Sequence, residues 1–170
     1  MKKVLSLLLM IALCLTSMAG NIKKMYRSAI TEKGTLYFFH EQKMQKDRDS
    51  KAIKPLRFDV TYLSGSDTVS IKTTVISLKA YKQPTATIIK ADGQKAAFAT
   101  EVIFRDVTKK GYINRIEVKI PRSEYRNLYS TDKPFTIDFD DQNTFKFSDG
   151  QWQKHREAVN KIWEVIDLNL

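Results

Sequence analysis

The chain has 170 residues, 29 Lys and Arg against 19 Asp and Glu, a formal net charge of +10, and one cysteine. One folded domain is expected at this length, large enough to bury about two-thirds of the surface that its unfolded chain would expose. A lone cysteine excludes an intrachain disulfide and a Cys-rich zinc site.

Lys2 and Lys3 precede an apolar run over residues 4–15, which gives way to Ser17-Met18-Ala19-Gly20. A basic head, about a dozen apolar residues and a small-x-small exit form the pattern of a secretory signal peptide. The run is shorter than the roughly 20 residues that cross a bilayer. Cleavage after Ala19 is expected, so that residues 20–170 work in the periplasm or outside the cell. Cys14 then leaves with residues 1–19, and the mature chain has no thiol for nucleophilic, redox or metal chemistry. The alternative is lipidation at Cys14. Ile11-Ala12-Leu13-Cys14 partly matches a lipoprotein signal, with Leu13 where a small residue belongs, and would tether the chain to a membrane.

Ile22, Met25, Tyr26, Ala29 and Ile30 fall at i, i+3, i+4, i+7 and i+8, which predicts a short amphipathic helix with Lys23, Lys24 and Arg27 on its polar side. Period two then takes over. Leu36 and Phe38 begin it; residues 56–63 and 68–76 alternate cleanly and are joined by Ser64-Gly65-Ser66-Asp67. The polar stretch over residues 41–54 reads as an exposed loop or extended hairpin. Asp92-Gly93 is a strong hairpin signal between strands at 85–90 and 95–105. Ile116, Val118 and Ile120 continue the alternation, followed by a helical spacing over residues 121–130. Phe135, Ile137 and Phe139 pair with Phe145 and Phe147 across Asp140-Asp141-Gln142-Asn143. Ser148 and Gln151 make a capping-box pattern, and Trp152, His155, Val159, Ile162, Trp163 and Ile166 form one stripe of a helix over 149–167.

One apolar and one wet face per strand is the signature of an antiparallel sheet. The expected fold is α+β: a meander of seven to eight antiparallel strands, closed as a barrel or strongly curved, with the C-terminal helix packed on it.

No catalytic signature emerges. There is no H-E-x-x-H, G-x-S-x-G, G-x-x-x-x-G-K or G-x-G-x-x-G, so no catalytic residue, metal ligand or cofactor is assigned. His155 on an apolar stripe reads as a packing histidine, and His40 stands at a strand end. Asp138, Asp140, Gln142 and Asp149 partly imitate a calcium loop. However, Asn143 replaces the turn glycine and Asp149 the bidentate Glu, so a solvated hairpin tip is the better reading. The same aspartates are the only basis for a hydrolase.

The excess charge lies in the first half of the mature chain. Residues 20–90 carry 14 Lys/Arg and 6 Asp/Glu, whereas residues 91–170 carry 13 of each. Lys43, Lys46, Arg48, Lys51, Lys54 and Arg57 fall within fifteen positions and are the candidate binding residues. The leading expectation is an exported, non-enzymatic binding protein that meets an anionic lipid, an acidic glycan or another envelope protein through this basic face or the barrel mouth. Nucleic acid is not expected, since no aromatic side chains interleave the segment. The alternative is a lipocalin-like carrier with a small apolar ligand among Phe58, Val60, Ile71, Phe98, Val102 and Phe104, although the N-terminal G-x-W of those carriers is absent.

Overall fold

The computed structural model describes residues 24–169. The leader, its cleavage point and Cys14 therefore lie outside the described residues. Among the described residues, nine strands and two helices follow one another: β1 (Tyr26–Thr31), β2 (Gly34–Lys46), β3 (Leu56–Leu63), β4 (Thr68–Ser77), β5 (Thr85–Ile89), β6 (Lys95–Thr108), β7 (Gly111–Pro121), α1 (Arg122–Leu128), β8 (Thr136–Phe139), β9 (Asn143–Lys146) and α2 (Asp149–Leu168).

All pairings are antiparallel. The order β2-β3-β4-β7-β6-β5-β8-β9 closes where Gln45 and Lys46 of β2 meet Lys146 and Phe145 of β9. The result is an eight-stranded barrel, with β1 added outside it along β2. It is not the simple meander that consecutive hairpins suggest. The β4–β5 connection crosses the barrel, so that β4 lies beside β7 and β5 between β6 and β8.

Alternation explains the interior. Leu56, Phe58, Val60 and Tyr62 of β3, Val69, Ile71 and Val75 of β4, and Ile116, Val118 and Ile120 of β7 are all buried. Their outward neighbours carry charge in matched rows: Asp59 faces Lys72 across β3–β4, and Lys72 faces Glu117 across β4–β7. Apolar side chains inside and ionised ones outside are the reverse of a lipid-embedded barrel wall.

Two expectations need correction and one is narrowed. The predicted first helix, whose residues 22 and 23 lie outside the described residues, is a strand from Tyr26 on: Tyr26–Thr31 pairs with Phe39 through Gly34, and Ala29 and Ile30 are exposed. A nine-residue helix nucleates poorly by itself, whereas a hairpin with β2 satisfies the backbone groups from Tyr26 on. The polar stretch over 41–54 takes the second of its two expected forms, part of an extended β2–β3 hairpin, and is not one exposed loop. A bulge between Phe39 and Gln42 resets the alternation, so β2 runs on to Lys46 with Gln42 and Met44 inside. Finally, a bulge between Val102 and Phe104 turns Phe104 outward, and Phe98 and Val102 are only half-buried.

The antiparallel sequence of strands sends alternate connections to opposite ends of the barrel. One end is capped by α1, α2 and the segment leading into β8. Ser148 is the α2 N-cap as expected, but its side chain makes no cap bond. The α2 stripe buries Trp152, Val159, Ile162, Trp163 and Ile166. Trp163 packs edge-on against Phe39, Tyr62 and Tyr125, with ring centres 5.8, 4.9 and 6.2 Å away. Burying two indoles in such a cluster is worth several kcal/mol, at about 25 cal/mol per Å² of apolar surface. The other end is closed by connections alone.

Candidate binding site at the loop end of the barrel

Four connections meet at the end opposite the helices: residues 47–55 (β2–β3), 78–84 (β4–β5), the β6–β7 turn and the β8–β9 turn. Backbone hydrogen bonds hold the first as a strap. The Asp47 N–H donates to Thr144 O (2.9 Å), the Lys51 N–H to Gln142 O (2.9 Å) and the Ile53 N–H to Ile76 O (2.8 Å). Ala52 of the strap is buried. Lys146 Nζ lies 2.8 Å from Asp47 Oδ1. That hydrogen bond, helped by the Arg48 N–H, holds the Asp47 carboxyl below its ordinary value.

The β4–β5 connection plugs the barrel. Tyr81 turns inward and is fully buried. Its N–H donates to Asn114 Oδ1 (3.0 Å), and its hydroxyl accepts from Asn143 Nδ2. Asn114 Nδ2 also donates to Lys79 O (3.4 Å) and Ser77 Oγ (3.3 Å). Burial pushes the Tyr81 phenol up, so the plug stays neutral at any physiological pH.

The strap, the β4–β5 connection and the β6–β7 hairpin lock together at Gly111. Its φ is +142°, and a Cβ there would stand 2.5 Å from Ser77 O and 3.0 Å from Ile53 Cδ1. Only glycine allows this approach.

With the backbone fixed, the outward side chains are mainly cationic. The rim carries Arg48, Lys51 and Lys54 from the strap, Lys79 and Lys82 from the β4–β5 connection, and Arg105, Lys109 and Lys110 from the β6–β7 hairpin. All eight are exposed, and none forms an ion pair among the described residues. The acids of this end are Asp47, already paired, and Asp49, Asp106, Asp140 and Asp141.

Of the six basic residues singled out from sequence, Arg48, Lys51 and Lys54 reach the rim. Lys43, Lys46 and Arg57 lie on the adjoining wall, where Lys43 faces Arg57 across β2–β3 and Arg57 is bridged to Glu41 at 2.7 Å. Lys79, Lys82, Arg105, Lys109 and Lys110 were missed. Lys79 and Lys82 stand in one connection, Arg105 near the end of β6 and Lys109 and Lys110 in the turn after it, and only the parity of connections in an antiparallel sheet puts them at one end.

The other candidates do not converge. Asp138 is buried on β8 and accepts from Thr144 Oγ1. Asp140, at φ +57° in the β8–β9 turn, accepts the Thr85 N–H (3.1 Å). Asp149 opens α2 at the far end of the barrel. No group of three or more His, Cys, Asp or Glu able to hold a metal ion is present among the described residues. His155 is a packing residue, with ring centres 4.9 Å from Phe147 and 5.8 Å from Tyr129. Burial lowers its pKa to about 4. The void among Leu56, Ile71, Ile88, Val118, Ile137 and Phe139 inside the barrel is only about 10 Å³, far below the several hundred that enclose a small ligand. Larger grooves, of about 560 and 770 Å³, are open and lie at the helix end. The arginines there are matched, with Arg156 bridged to Asp132 and Arg122 and Arg126 both to Asp167, and Lys90 is bridged to Glu124, while Asp92, Lys133 and Glu164 of the same linings form no ion pair among the described residues.

Comparison with protein-family models, curated proteins and solved structures found no match.

Proposed function

We propose that this is an exported, non-enzymatic binding protein that docks the loop end of its barrel on an anionic partner. One observation carries the reading. Eight cations, seven from three separate connections and Arg105 from the end of β6, share one rim without internal ion pairs, whereas the arginines of the helix end are bound to carboxylates. Unpaired surface charge is the kind that steers and holds a partner of opposite sign, and its effect is screened by salt. The filled interior favours surface recognition over carriage of a small ligand. Export rests on the pattern of residues 1–19, and a partner in the envelope or outside the cell follows from it.

Salt-gradient elution from a phosphate-bearing cation exchanger tests the reading. Native protein is expected to elute later than a Lys51→Gln, Lys54→Gln, Lys109→Gln, Lys110→Gln variant. A Lys90→Gln, Arg122→Gln, Arg126→Gln, Arg156→Gln variant, which removes as many cations but only ones engaged by carboxylates, is expected to change elution far less. Equal loss from both variants would mean that net charge alone, not the rim, governs retention.

A further inference from the structure

We infer that the anionic partner is a lipid surface, and that Leu78 and Val107 enter its interfacial layer while the surrounding lysines engage the headgroups. This deepens the docking reading and rests on it.

Apolar exposure at the rim points to lipid. Seven large hydrophobic side chains are exposed among the described residues, and four of them, Leu78, Ile103, Phe104 and Val107, belong to the β4–β5 connection and the outer part of β6. Singly scattered apolar side chains are ordinary, but a group confined to two adjacent segments is not. Leu78 is 71% exposed and Val107 68%. The register brings their segments together: Ser77 pairs with Tyr112 and Tyr112 with Val107, and Leu78 opens the β4–β5 connection one residue beyond Ser77. Two strand spacings, about 10 Å, separate Ser77 from Val107. Lys79 follows Leu78 directly, and Lys109 and Lys110 follow Val107 in the turn.

An acidic glycan would neutralise the lysines but offers no apolar layer for Leu78 and Val107. A bilayer with anionic headgroups offers both, the headgroup charge above the acyl boundary. The depth is limited by β6 itself. Beyond Ala99 it has left β5, and from Thr100 to Thr108 its described strand partner is β7 alone. The unpaired backbone groups on its other edge need water, so the tip stops in the hydrated interface. The charged barrel wall likewise stays outside.

Co-sedimentation with vesicles of phosphatidylglycerol and phosphatidylcholine, set beside the cation exchanger, tests the inference. Native protein should bind the mixed vesicles, ignore pure phosphatidylcholine, and remain partly bound at salt concentrations that clear the exchanger. A Leu78→Ser, Val107→Ser variant should lose about tenfold or more in vesicle binding, since it removes most of the apolar area available for burial. It should still elute from the exchanger at the native salt concentration. Both positions are exposed, so the variant should keep the native circular dichroism spectrum and melting temperature. In a Leu78→Trp variant, vesicles should shift the added indole emission to the blue.

Native-like vesicle binding by the serine variant, or no shift of the Leu78→Trp emission, would overturn lipid insertion and leave docking standing. So would retention on the exchanger without vesicle binding. Loss of retention on both supports removes docking and insertion together. A dimer in size-exclusion chromatography that the serine variant dissolves would assign Leu78 and Val107 to a contact between copies and end the lipid reading.

Discussion

The two ends of this barrel are closed by opposite means. At the helix end, aromatic rings do the closing and every prominent arginine has a carboxylate. Arg122 and Arg126 lie over the Trp163 ring at 5.5 and 5.3 Å while both hold Asp167. At the loop end, backbone hydrogen bonds and one buried phenol do the closing, and the cations on the rim have no partners among the described residues. Paired charge on a packed surface is spent on the fold, whereas unpaired charge on a braced surface is free to meet something else. The difference separates stability from recognition, so substitutions at the two ends should separate in the same way.

The largest effect belongs to the helix end. Trp163→Ala removes the ring that joins Phe39, Tyr62 and Tyr125 and is expected to cost about 3–5 kcal/mol, the range for an aromatic truncated in a packed core. Urea denaturation gives the number, and a loss below 1 kcal/mol would show that α2 does not cap the barrel. Next comes Gly111, the one place where the loop end is as tightly specified as a core. Gly111→Ala meets both the positive φ and the Ser77 carbonyl, and a cost of roughly 1–3 kcal/mol follows. Gly65→Ala is the control: its φ is +80°, but nothing lies within 4 Å, so about 1 kcal/mol of backbone strain is expected without any clash. If the two alanines cost the same, the junction of strap, connection and hairpin at Gly111 is not what holds the rim.

Most of the fold was legible because alternation is local. A buried side chain at every second position needs no knowledge of its neighbours, and β3, β4 and β7 follow it without interruption. The C-terminal helix was equally plain from its stripe. The failures lie where local pattern and backbone pairing disagree. Ile22, Met25, Tyr26, Ala29 and Ile30 have helical spacing, yet the segment from Tyr26 is a strand because β2 offers a pairing edge. Residues 41–46 look like loop because two lysines and two glutamines flank Met44, and only the bulge after Phe39 brings Gln42 to the Tyr129 hydroxyl (3.1 Å). The candidate site was half legible for a related reason. Arg48, Lys51 and Lys54 announce themselves as a charge run, while Lys79, Lys82, Arg105, Lys109 and Lys110 become neighbours only through the crossover of β4 to β5 and the pairing of β6 with β7.

Acid should distinguish the ends as well. The His155 pKa is lowered to about 4 by burial, so between its ordinary value near 6.5 and about 4 the unfolded chain binds a proton that the folded chain does not. Stability therefore falls as pH drops through that window, by on the order of 2 kcal/mol for this partly buried group. His155→Phe keeps an aromatic ring beside Phe147 and should flatten the slope of stability between pH 6.5 and 4. Asp47, whose carboxyl is held below its ordinary value by Lys146 and the Arg48 N–H, contributes stability at neutral pH that is lost only at lower pH, as the folded carboxylate is protonated. Melting curves across pH check both; an unchanged slope in His155→Phe would place the acid-sensitive group elsewhere.

The smallest effect on stability should come from the rim lysines, and that smallness sharpens the distinction between the ends. Lys109→Gln with Lys110→Gln alters exposed side chains that form no ion pair among the described residues, so unfolding free energy should move by no more than about 0.5 kcal/mol. A small gain is as expected as a loss, because removing like charges from a crowded rim relieves repulsion. Retention on an anionic support should nevertheless weaken, with a shallower dependence on salt. At the helix end the pattern inverts: Arg126→Gln withdraws one of two guanidiniums from Asp167 and one cation from the Trp163 face, so it should lower stability more than it lowers retention. Two variants, each removing cationic charge, should therefore fall on opposite sides of a plot of stability against binding. If both lose stability and retention in the same proportion, the charge of this chain acts as a whole, and the division of labour between the ends is lost.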